Sequence, residues 1–135
     1  MNFRFVLLSS LLAFCVACQP PISTRTETEV AAFCGTGSDG TLAVVVEFAT
    51  CISSSCDTVT DSSCTLVEEG GVVTVTAEAT IESQGKVCTA DCGLVEVMCT
   101  LDLPDGTYTL KNGSDEVEIV LPATCLLYTS DAADE

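Results

Sequence analysis

Between residues 72 and 82 the chain alternates without a fault. Val73, Val75, Ala77, Ala79 and Ile81 fall on one parity, and Thr74, Thr76, Glu78, Thr80 and Glu82 on the other. Successive side chains of a strand point to opposite faces, so this pattern requires a strand with one face in an apolar core and one in water. A helix would scatter the same valines around its axis. The device recurs at residues 94–103, where Val95, Val97, Cys99 and Leu101 oppose Glu96, Met98, Thr100 and Asp102. In residues 41–50, Leu42, Val44, Val46 and Phe48 share a face. No part of the domain carries a helical stripe, and the expected class is all-β and antiparallel.

The breaks between these runs carry turn chemistry. Asn112-Gly113 sits between residues 107–110 and 116–121, a strong hairpin signal because both residues tolerate positive φ. Gly70-Gly71 and Pro104-Asp105-Gly106 are further turn signals, and Pro122 stops the last strand. Gly35-Thr36-Gly37-Ser38-Asp39-Gly40 reads as a turn before the first strand; it lacks the Lys of a phosphate loop and the repetition of calcium-binding nonapeptides. Glu68-Glu69 and Asp115-Glu116 lie in or beside turns and read as solvated charge.

The first residues carry an export address. Arg4 precedes an apolar run over residues 5–14, too short for a mature membrane span, and small residues lead to a cysteine in Cys15-Val16-Ala17-Cys18. That run resembles the lipobox of bacterial lipoproteins, departing from it in having Cys15 where leucine is usual. The resemblance implies a signal peptide over residues 1–17, diacylation of Cys18, and, with Gln19 rather than aspartate next, the outer membrane of a Gram-negative cell. More than one acyl chain on Cys18 gives stable anchoring. Residues 18–33, with Pro20-Pro21 and then Ser, Thr and Glu, read as the lipidated cysteine and a flexible tether. The domain proper is expected over residues 34–124.

An exported chain meets an oxidising environment, and its ten cysteines read accordingly. Setting aside Cys15, Cys18 and Cys125 leaves Cys34, Cys51, Cys56, Cys64, Cys88, Cys92 and Cys99 as disulfide candidates, with connectivity open. Cys51 to Cys56 and Cys88 to Cys92 have only a loose likeness to zinc spacing, so no metal is expected. Cys125 is set aside because residues 125–135 resemble the in-frame translation of a transposase-type sequencing adapter. That resemblance implies a native reading frame that continues differently past Thr124, a domain truncated there, and an eighth cysteine beyond it.

Leu103-Pro104-Asp105-Gly106-Thr107-Tyr108 followed by a hairpin resembles the tyrosine corner of immunoglobulin-like sandwiches, in which a Tyr early in a strand bonds back to the preceding turn. The resemblance implies an Ig-like β-sandwich with Tyr108 and Gly106 as structural turn residues. It departs from the antibody pattern at Leu110, where a cysteine would follow, and in having no Trp.

Charge and composition narrow the function. Residues 19–124 hold Arg25, Lys86 and Lys111 against seventeen Asp and Glu, within a chain of net charge −16. Such a surface repels phosphate backbones and anionic lipid, so no nucleic-acid partner is expected and the membrane link is covalent. Without histidine there is no Ser-His or Cys-His pair, and Ser53-Ser54-Ser55 has no base partner. The expectation is a non-catalytic envelope protein with no cofactor and an unknown protein or surface partner. Two alternatives are a calcium- or ligand-binding module in which Asp57, Asp61, Asp102 and Asp105 converge, and a piece of a larger secreted protein.

Overall fold

The computed structural model describes residues 21–129, with side chains described as far as Cys125. Nine strands and no helix occur among them: β1 (Ile22–Glu27), β2 (Val30–Ser38), β3 (Thr41–Phe48), β4 (Asp57–Glu69), β5 (Val72–Gln84), β6 (Glu96–Asp102), β7 (Gly106–Asn112), β8 (Asp115–Leu121) and β9 (Ala123–Thr129). They form two sheets around one core. In the first, β5 has β4 along one side and, on the other, β1 against its last residues and β7, parallel, against its first three; β8 follows β7. The second runs β6-β3-β2-β9. All strand pairs other than β5 with β7 are antiparallel.

The core is what alternation predicts. Val73, Val75, Ala77, Ala79 and Ile81 of β5 are buried against Leu42, Val44, Val46 and Phe48 of β3, with Leu110 and Ile119 from the β7–β8 hairpin. Fully burying a side chain of this size stabilises the fold by roughly 1.5–3 kcal/mol, and no polar or charged residue is buried among the described residues.

One long ribbon explains most of the topology. Thr41 pairs with Asp102 at its base and Glu47 with Glu96 further up; an isolated bridge joins Ile52 to Gly93, and Asp57 pairs with Ser83. The ribbon closes at Glu69 and Val72. Residues 41–102 are thus one antiparallel hairpin folded over on itself, its base (β3, β6) in one sheet and its tip (β4, β5) in the other. Folding it brings the apolar faces of both halves together.

Three two-residue turns close the hairpins, each with positive φ where glycine sits: Asp39 (φ 53°) with Gly40 (φ 77°), Gly70 (62°) with Gly71 (88°), and Gly113 (58°). Here the structure departs from expectation twice. Residues 35–38 belong to β2, and only Asp39-Gly40 turns; a Cβ on Gly35 would lie 2.9 Å from the Leu110 side chain, so that glycine lets the core close. Asn112 is not in the left-handed region, since Gly113-Ser114 are the central residues and Asn112 pairs with Asp115. Its side-chain amide instead donates to the Val75 carbonyl oxygen at 3.0 Å, serving β5 where β7 has ended.

The boundaries expected for the tether are also corrected. Residues 22–27 form β1 on the last residues of β5, and Val30, Ala32 and Phe33 are buried. The Thr-rich segment has good strand propensity, and β5 offers a free edge there.

Candidate functional site

The chain crosses twice between sheets at one end of the folded ribbon, through residues 49–56 and residues 85–95, and these two connections run side by side. Cys51–Cys92 and Cys56–Cys88 bridge them, with Cα–Cα separations of 5.0 and 5.5 Å. Next to the Cys51–Cys92 bridge, Ile52 and Gly93 exchange backbone hydrogen bonds of 3.2 and 2.8 Å. This clasp has little apolar content: residues 85–92 are all exposed, Val87 at 97%.

Polar groups complete it. Asp91 accepts from the Ser54 N–H at 3.0 Å and from the Thr89 hydroxyl, and the Ser53 hydroxyl donates to the Thr89 carbonyl oxygen at 2.9 Å. Hydrogen bonding from Ser54, then from Thr89, holds the Asp91 carboxyl well below its ordinary value. On the other side Asp57 accepts from the Ser83 hydroxyl and from the Ser53 N–H at 2.7 Å. Those two bonds, the Ser83 one larger, lower its pKa against a burial penalty, and the Arg25 guanidinium 3.6 Å away adds to them. Arg25 also reaches Glu27 at 3.0 Å and Ser83 at 2.6 Å, tying β1 to the clasp.

Chemically this arrangement can present a surface. Ser53 and Ser55 are bonded to Thr89, and Asp91 and Asp57 accept from the Thr89 and Ser83 hydroxyls, so the polar groups are tied to one another. Asp57, Asp61, Asp102 and Asp105 do not converge. Asp57 is at the clasp, Asp61 lies along β4, and Asp102 pairs with Thr41 at the far end of β6. No group of three or more His, Cys, Asp or Glu residues suited to a metal occurs among the described residues.

The cysteine candidates pair as Cys51–Cys92, Cys56–Cys88 and Cys64–Cys99, the last joining β4 to β6 across the sheets with a Cα–Cα distance of 5.3 Å. Cys34 pairs with Cys125, at 5.4 Å. This corrects the setting aside of Cys125: once Pro122 has ended β8, the chain crosses to the free edge of β2, and the bridge lies on β9, a strand the sequence did not announce. Disulfides on this scale belong to an oxidising, extracytoplasmic location.

Tyr108 donates its hydroxyl to the Pro104 carbonyl oxygen at 2.9 Å, and a Cβ on Gly106 would crowd its ring at 3.3 Å. Cys18 lies outside the described residues. No helix among those described is long and apolar enough to cross a membrane. No family model, curated protein or solved structure matches the chain.

Proposed function

We propose that the chain is a non-catalytic, lipid-anchored envelope protein that presents a crosslinked Ig-like β domain for contact with a partner. The observation that carries this reading is the clasp: two disulfides spent on rigidifying exposed loops that bury almost nothing. Rigid loops lose little entropy on binding, which favours recognition over flexibility. Hydroxyls bonded to one another and the lack of histidine argue the same way against nucleophilic chemistry. The bond from Tyr108 to the turn before its strand supports the Ig-like part.

The anchor is tested by expressing the whole chain in a diderm bacterium with labelled palmitate. The expected result is label on the mature protein and membrane recovery, both lost in Cys18→Ala. Membrane recovery and processing unchanged by that substitution would rule the anchor out.

A further inference from the structure

We infer that the free edge of β4 is a docking site for an extended, basic segment of another protein, added as a further strand. This rests on the proposed partner-binding role and names the partner's chemistry. β4 is a long edge strand, paired only with β5. On β5 the even-numbered residues turn their backbone toward β4, as Gln84 shows by donating to the Cys56 carbonyl oxygen. The odd-numbered ones turn away, as Val75 shows by accepting from Asn112. Directly opposite residues share this sense. Asp61, Ser63, Thr65 and Val67, opposite Thr80, Glu78, Thr76 and Thr74, therefore bond inward, while Ser62, Cys64, Leu66 and Glu68 present N–H and C=O outward.

Edges are ordinarily blunted by a bulge, a proline or charge. β4 has its bulge between Val59 and Asp61, upstream of this stretch, and residues 62–67 hold no charge, proline or glycine in a regular register. The charges stand at the two ends instead, Asp57 and Asp61 before, Glu68 and Glu69 after, with Glu78 and Glu82 on the neighbouring strand and no Lys or Arg on either. A second copy paired antiparallel about Thr65 would set Asp61 opposite Glu69 twice, an unfavourable match. A strand with cations flanking an uncharged centre meets the same pattern favourably. It would also cover Val67, 53% exposed.

Amide hydrogen exchange of the full chain tests this, with a synthetic peptide of alternating valine and threonine ending in lysines, and a counterpart ending in glutamates. The lysine peptide should slow exchange at Ser62, Cys64, Leu66 and Glu68, less so at high salt, and the glutamate peptide should not. Ser62→Pro removes one outward N–H and should abolish the protection at the other three sites. Should that variant fail to fold, the triple charge reversal Asp61→Lys, Glu68→Lys, Glu69→Lys should switch preference to the glutamate peptide. Equal protection by both peptides, none by either, or a concentration-dependent dimer already protecting these amides would overturn the inference. None of these readouts depends on lipidation, so a failed anchor and a failed edge are told apart.

Discussion

The clasp and the β7–β8 hairpin lie in the same domain and are held together by opposite means. The hairpin has no disulfide; it sinks Leu110, Ile119 and Leu121 into the core and closes with a two-residue turn. The clasp joins two connections that bury little beyond Cys56 and Val95, and it is held by two disulfides and a set of short-range polar bonds. In the clasp, covalent closure holds connections that bury few apolar side chains, as expected of a small domain with a limited core.

The comparison breaks first at the packed side. Leu110→Ala should cost about 2–5 kcal/mol, read as a lower denaturant midpoint, because Leu110 is fully buried against residues of both sheets. Removing the clasp's own bridge with Cys56→Ser and Cys88→Ser should cost about 2–4 kcal/mol, and protection should fall in residues 51–57 and 85–93 before it falls in β7 and β8. Uniform loss of protection would mean that the two regions are one cooperative unit.

Cys34 sharpens the contrast. Its partner Cys125 lies on β9, the last strand, outside both the clasp and the β7–β8 hairpin. A chain expressed to Thr124 should show one thiol at Cys34 reactive to a mass-tagging reagent, and the chain to Glu135 none there.

How legible each region was follows from the same contrast. β3, β5 and β6 were visible because one face is buried, which writes hydrophobicity with period two; Val73, Val75, Ala77, Ala79 and Ile81 were all placed by parity alone. β4 was missed because it is an edge strand, with only Cys64 and Leu66 of its middle half-buried. Its pairing is dictated by the length of β5 and not by its own side chains. β1 reads as tether for a similar reason: Thr24 and Thr26 alternate with Ser23, Arg25 and Glu27, which carries no burial signal. The cysteines of the clasp were recognisable as a set, but their pairing depends on two connections lying side by side, a property of the folded ribbon and not of spacing.

Tyr108→Phe probes a smaller asymmetry. The ring stays and the bond to the Pro104 carbonyl oxygen is lost, so the expected cost is about 1 kcal/mol, confined to the entry of β7. A cost several times larger would mean that the hydroxyl organises the whole turn over residues 103–107.

Acid should act on the clasp with the smallest and most local effect. Asp91 and Asp57 both have folded-state pKa values below the ordinary 3.8, lowered chiefly by hydrogen bonds from Ser54 and Ser83 respectively. A depressed carboxylate pKa means that the unfolded state binds the proton more readily. The stabilisation is therefore complete above 3.8, declines as the pH falls below that value, and is gone once it passes the folded-state values. Reduction by a phosphine, which remains active in acid, reads this directly: below the ordinary carboxylate pKa, Cys51–Cys92 beside Asp91 should be reduced faster, while Cys64–Cys99, inside the sandwich, should not. Asp91→Asn should flatten the acid response of the first bridge. Equal acceleration of both bridges would show acid loosening the sandwich as a whole, and the clasp would then owe its order to packing that it shares with the core.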